Sequence, residues 1–285
     1  DSLLAVISKL PLNYAAGTRW RFSFSDYIVL GFIIDKVTGE HYTKFLERRV
    51  FAPLNMRTAQ PIDDLAVIPN RAAGYEITDG KPRNPPFVSA FANSTADGSL
   101  YLSALDYAAW GVGSLGRKLL KPASWAEISA PAMLKSGHTY PYGFGWHQDG
   151  RQDRTVWNHS GNWQGFQASI ASYPAEDLTI IALANGSTAD PAAMITHVAA
   201  LLDPKLKSAP AAPSEDSDPQ ITARLKTLLG QILQGSTTRS DFTDFEQRDF
   251  TGMMAMYRDM LKPLGNLREV ALFGRTQLGD DQTYH

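Results

Sequence analysis

Between Tyr142 and Asn185 the chain leaves its neighbours little freedom. Four short runs follow one another there: YGFGWHQ (Tyr142 to Gln148), RTVWNH (Arg154 to His159), GFQASIASYP (Gly165 to Pro174) and LTIIALAN (Leu178 to Asn185). Only the turn-forming stretches DGRQD, SGNWQ and PAED separate them. Strands joined by links this short must be antiparallel neighbours, because a parallel crossover needs a dozen residues or more. An antiparallel meander is therefore predicted. Inside it, WNHSGNWQGF (Trp157 to Phe166) sets His159 among aromatics, next to a Ser-Gly pair. A turn histidine bonded to a carbonyl is the ordinary explanation. A histidine on the border strand of a site is the other, and the rest of the chain decides between them.

The 285 residues suffice for about two domains. Net charge is −2, without a basic stripe to grip phosphates, so nucleic acid is not an expected partner. The longest apolar run, YIVLGFII (Tyr27 to Ile34), falls well short of the roughly 18 residues of a membrane span. Cysteine is absent, which excludes disulfides, thiol nucleophiles and cysteine-ligated metals. The opening DSLLAVISKLPL has no basic leader and no small-residue cleavage site, and it reads as the middle of a helix. The expectation is a chain that begins inside a domain, so that the isolated sheet exposes an unpaired edge and an uncovered apolar face.

Two helical segments are predicted in Ser23 to Leu54, the first capped by Ser25 or Asp26 and ended at Gly39. The second carries Tyr42, Phe45, Leu46 and Val50 on one side and stops at Pro53. Residues 61–98 are rich in Pro, Gly, Asn and Asp and read as a long crossing that lines or wraps a site. Helices are expected over 103–118 (capped by Ser103), over Pro122 to Leu134, and over Asp190 to Leu202 with Asp190 as cap. DPKLKSAPAAPSEDSDPQ (Asp203 to Gln220) has the composition of a semi-rigid linker. Beyond it the sequence predicts a helix with Ile221, Leu225, Leu228, Leu229 and Ile232 on one face, a second over Phe245 to Leu261, and a strand over Leu267 to Thr276. The division is thus 1–203, a linker at 204–220, and a partial α+β module at 221–285.

GVGSLG (Gly111 to Gly116) matches a dinucleotide fingerprint in letters only, since it ends a helix instead of following a strand. No GxSxG elbow and no HExxH occurs, and the six histidines lack metal-ligand spacing. What remains is an ordered set: AAGTRWRFSFSDYIVLGFIIDKVTGEHYTKFLERRVFAPLNMRT, STADGSLYLSALDYAAW, YGFGWHQDG, WNHSGNWQGFQASIASYP and LTIIALANGS. In this order and spacing the chain resembles the serine beta-lactamase and penicillin-binding-protein family, in its class C beta-lactamase, D-aminopeptidase and esterase branch, from about Ala15 to Leu202.

The resemblance implies an α/β (α+β) fold of the beta-lactamase/transpeptidase type, an antiparallel sheet flanked by helices with a helical lobe. It also implies hydrolysis of an ester or amide through an acyl-enzyme, and three catalytic elements. The first, Ser-x-x-Lys, is absent: no lysine here has a serine three residues before it. By the resemblance that element lies upstream of this stretch. The second, Tyr-x-Asn, falls on FSF, with Phe22 at the tyrosine position, Phe24 at the asparagine position and Ser23 between them. Phenylalanine neither donates nor accepts a proton; Ser23 survives between the two, and Ser25 or Asp26 would have to stand in as polar groups. The third, Lys/His-x-Gly, is met by His159, Ser160 and Gly161. Glycine admits substrate close to the strand, and the imidazole would steady a developing charge or a substrate carboxylate. Trp163 and Phe166 would wall the pocket, and a backbone N–H near Gln167 would help form the oxyanion hole. Asp97-Gly98-Ser99 replaces the usual Gly-Gly-Leu turn as a structural element.

No cofactor is implied. The implied partner is a small ester, a peptide or a beta-lactam-like substrate, and oligomeric state stays open. By the resemblance the protein is periplasmic or secreted, with the cytoplasm as the alternative. The competing reading of function is a non-catalytic binding module on the same fold.

Overall fold

A computed structural model describes residues 2–90, 92–116, 118–151, 154–207, 213–242, 250–262, 265, 267 and 270–285. It divides into two compact units, one of residues 1–10 and 20–209 and the other of 11–19 and 210–285.

The first unit opens with α1 (Ser2–Ile7), followed by α2 (Phe24–Thr38). The cap of α2 is Ser23, whose hydroxyl accepts from the Asp26 N–H. This corrects the assignment to Ser25 or Asp26: both already have helical neighbours, and Ser23 is the last extended residue. Gly39 ends the helix at φ 73°, as expected. Next come α3 (Tyr42–Leu46) and a π-helical turn at Glu47–Phe51. Phe51, Leu54 and Met56 form the core of this helical lobe.

The crossing at 61–98 is largely irregular. It contains β1 (Gln60–Pro61) and the hairpin β2 (Glu76–Thr78) to β3 (Lys81–Arg83). β4 (Leu100–Tyr101) returns to pair with β1. Ser103 then caps α4 (Ala104–Leu115) in a capping box with Asp106. α5 covers Pro122–Ser129 only. The predicted extension to Leu134 fails because Ala130 precedes Pro131 and is forced into extended backbone. The chain goes instead into the small pair β5 (Ala132–Met133) and β6 (Thr139–Tyr140).

The main sheet has five strands, in order β11-β10-β9-β8-β7: β7 (Tyr142–Gly143), β8 (Trp146–Arg151), β9 (Arg154–Trp163), β10 (Phe166–Tyr173) and β11 (Leu178–Ala184). The meander is as read, with two corrections. YGFGWHQ is a hairpin and not one strand, because Phe144 and Gly145 both take left-handed φ, 49° and 88°. Such a pair makes the tight turn that matches strand twist. Nor is SGNWQ a turn. Ser160 to Trp163 continue β9, and the reversal is confined to Gln164 and Gly165, at φ 45° and 82°. The DGRQD turn falls partly outside the described residues.

Both faces of the sheet are covered. α6 (Pro191–Leu202), capped by Asp190, brings Ile195 and Ala199 onto Val156, Ala171, Tyr173 and Ile180. Tyr107 and Trp110 of α4 pack with Ile128 against Trp146, Trp157 and Ile170 on the other. Among the described residues β11 pairs with β10 alone along its length, and just past its end Gly186 bridges to Tyr75. Leu30, Ile33 and Val37 of α2, Leu105 and Val112 of α4, and Leu201 and Leu202 of α6 are exposed.

The second unit contains α7 (Pro219–Gln234), with Ile232 buried, and α8 (Phe250–Leu261). The residues before Phe250 assigned to this helix lie outside the described set, as does part of the linker at 208–212. The strand expected over Leu267 to Thr276 is displaced: β12 (Arg275–Leu278) turns at Gly279 into β13 (Asp281–Tyr284). Among the described residues no helix is long and apolar enough to cross a membrane.

Candidate active site

The site forms where β9 outruns β8. Pairing between them runs from Arg151 opposite Arg154 to His147 opposite Asn158, and stops. From His159 to Trp163, β9 keeps its partner β10 on one side and, among the described residues, has no strand on the other. Trp163 faces Phe166 across a two-residue turn, so Trp163, Gly161 and His159 direct their backbone groups to β10. The alternation leaves the backbone N–H and C=O of Ser160 and Asn162 on the free edge.

Three elements converge on that edge. The segment before α2 delivers Phe22 to 6.1 Å from His159 between ring centroids, and Phe24, the first residue of α2, lies 5.0 Å from Phe22 with the rings perpendicular. Both are well exposed, at 46% and 61%. α2 contributes Tyr27, one turn after Phe24. The β7–β8 hairpin contributes Tyr142 and His147, which stand opposite each other across its turn. The Tyr142 hydroxyl lies 3.2 Å from His159 Nε2 and 3.5 Å from the Tyr27 hydroxyl. His159 Nδ1 lies 2.8 Å from the Ser160 carbonyl oxygen. Trp20 stacks on Tyr140 at 3.9 Å and leans on Tyr142 at 4.9 Å.

Burial sets the electrostatics. It pushes the Tyr142 phenol up, with the Tyr27 hydroxyl adding to the effect. It pushes His147 down, helped by His159, whose ring is 5.6 Å away, and opposed by Asp149. Among the described residues no group of His, Asp and Glu is arranged to hold a metal ion.

The residues singled out from sequence separate into two sets. Phe22, Phe24 and His159 come together, with Ser160 and Gly161 continuing the edge. The Ser23 hydroxyl is engaged as the helix cap. Trp163 and Phe166 stand at the far end of the edge, roughly 13 Å along an extended strand from His159. Trp163 is held there by its indole N–H, which donates to Asn93 Oδ1 at 2.7 Å. Asn93 is 1% exposed and donates in turn to Asp64. Phe166 packs beneath Gly74. Gln167 lies between two strands, its backbone facing Ala184 on β11 and its side chain donating to the Ser187 carbonyl at 3.0 Å. The N–H groups left on the free edge are those of Ser160 and Asn162. Sequence reading missed Asn162, Tyr142, Tyr27 and Asn93. For Asn162 the signal was present: it follows the His-x-Gly triplet on a strand whose alternation can be counted.

A sheet covered by helices on both faces, with a helical lobe beside the free edge of a His-x-Gly strand, is a beta-lactamase/transpeptidase-like fold. The chain belongs to the beta-lactamase family, whose model matches residues 1–203. It is 25% identical over 179 residues to penicillin-binding protein 4* of Bacillus subtilis, covering 58% of this chain and 40% of that protein. It is 25% identical over 194 residues to a D-aminopeptidase of Brucella ovis, covering 67% and 37%. The crystal structure of a penicillin-binding protein from Bacillus halodurans superposes with a TM-score of 0.60 at 19% identity, over 70% of this chain and 62% of that one. The chain thus spans about two fifths of the curated relatives it matches.

Proposed function

We propose that this chain carries the substrate-binding part of a serine hydrolase that cleaves an ester or amide through an acyl-enzyme. The observation that supports it most is the approach of Phe22 to His159 across the free edge of β9, the two positions that must share a cleft for the family chemistry. In this reading the cleft takes a small ester, a D-amino-acid peptide or a beta-lactam-like ring. Asn162 N–H polarises the carbonyl, and the Ser-x-x-Lys element, absent from these 285 residues, supplies the nucleophile. The protein works outside the cytoplasm, residues 204–220 act as a linker, and 221–285 as an accessory module.

A second reading rests on Phe22 and Phe24. With neither phenol nor amide at those positions the proton relay of the family is missing, which favours a binding module without turnover. Treating the longest product of the gene with a fluorophosphonate and an activated ester separates the two. Covalent labelling with a burst of released alcohol supports hydrolysis. An unlabelled protein that still binds the ester supports the binding module.

A further inference from the structure

The His159 ring is held at both nitrogens. Nδ1 is 2.8 Å from the Ser160 carbonyl oxygen, which can only accept, so Nδ1 carries a proton. In the neutral ring Nε2 has only its lone pair, and the Tyr142 hydroxyl 3.2 Å away donates to it. The Tyr142 oxygen is then left to accept from Tyr27, 3.5 Å away. The chain of bonds runs one way, Tyr27 to Tyr142 to His159 to Ser160. Burial raises the Tyr142 phenol, so it keeps the proton it donates. Among the described residues the other rings against His159 are those of Phe22, which is apolar, and of His147, whose own protonation burial disfavours. Asp149, which acts on His147, accepts from Asn158 Nδ2 at 2.8 Å.

We propose that Tyr142 is a positioning residue that locks His159 in its Nδ1–H tautomer with both nitrogens engaged, and that the cleft therefore selects uncharged ester or amide ligands with an aromatic acyl group over ligands bearing a carboxylate. The selectivity rests on the reading of this cleft as the substrate site. A carboxylate brought to His159 finds both ring nitrogens already engaged and no N–H left to donate to it, and desolvating it without a partner is costly. An aromatic acyl group finds the exposed rings of Phe22 and Phe24, already perpendicular to each other, as edge and face partners.

The test uses the 285-residue chain, labelled with ¹⁵N, and three probes: methyl phenylacetate, phenylacetamide and phenylacetate. Long-range ¹H–¹⁵N spectra are expected to show the His159 proton on Nδ1 and an acceptor-type Nε2. Tyr142→Phe is expected to move the Nε2 resonance to that of a nitrogen without a hydrogen bond. Tyr27→Phe, which keeps the Tyr142–His159 bond, is expected to move it less. The ester and amide are expected to bind about tenfold or more tightly than phenylacetate, and Tyr142→Phe to narrow that ratio severalfold. Equal binding of phenylacetate to the unsubstituted chain, or an Nε2 resonance indifferent to Tyr142→Phe, overturns the proposal. Binding of the neutral probes without any shift at Phe22 or His159 overturns instead the reading of the cleft beneath it. If Tyr142→Phe does not fold, the Tyr27→Phe spectrum and the probe ratio of the unsubstituted chain decide alone.

Discussion

In the proposed reading Phe22 and Phe24 stand at the family's tyrosine and asparagine positions and bring neither side chain's hydrogen bonding, so at the scale of single residues this side of the cleft is apolar. His147 behaves differently. Burial and the neighbouring His159 hold it below its ordinary value of 6.5, so the folded chain binds fewer protons than the unfolded one as pH approaches that value. Its contribution to stability is intact above pH 6.5 and is lost as pH falls through it. Urea midpoints should therefore drop between about pH 8 and pH 5, and His147→Gln should flatten that slope; an unchanged slope contradicts the assignment. Asn93 offers a second check. Asn93→Ala removes a buried side chain that accepts from the Trp163 indole and donates to Asp64, at an expected cost of about 1 kcal/mol and with a red-shifted emission from the half-exposed Trp163. His159 was legible from sequence because a His-x-Gly triplet on a strand has a readable geometry. Tyr142 was not, since 17 residues and an unexpected turn separate it from the imidazole it touches.

Elements show the same division. The caps at Ser103 and Asp190, the end of α2 at Gly39, and the meander itself followed from local chemistry that a short window contains. The turns did not. Left-handed φ at Phe144 and Gln164 is bought by the pairing of whole strands, and neither residue type advertises it. Gly165 ties such a turn to the long crossing: at φ 82°, a side-chain carbon there would come within 2.4 Å of the Tyr75 backbone nitrogen. Gly165→Ala should cost upward of about 2 kcal/mol and disturb residues 73–75 together with the β9–β10 turn, seen as faster hydrogen exchange at both. Ser23→Ala should cost about 1 kcal/mol and fray the start of α2, where Phe24 is held. Comparable exchange rates in either variant and the unsubstituted chain would contradict these roles.

For the whole molecule, the exposed apolar residues of α2, α4 and α6 and the unpaired edge of β11 predict a sticky protein. The 285-residue chain should bind a hydrophobic dye and elute above its 31.3 kDa mass; a monomer without dye binding contradicts this. The fold as a whole was legible because five weak motifs in order constrain one another, whereas the C-terminal strand register was not, lacking any such partner motifs. The central claim is that Phe22 and His159 bound one cleft whose proton relay has been replaced by a ring. Its most direct test is the rate at which the longest product of the gene hydrolyses an activated phenylacetyl ester, with and without Phe22→Tyr. Restoring the phenol should raise that rate on the order of a hundredfold. A rate that is unchanged or lower in Phe22→Tyr would contradict the account.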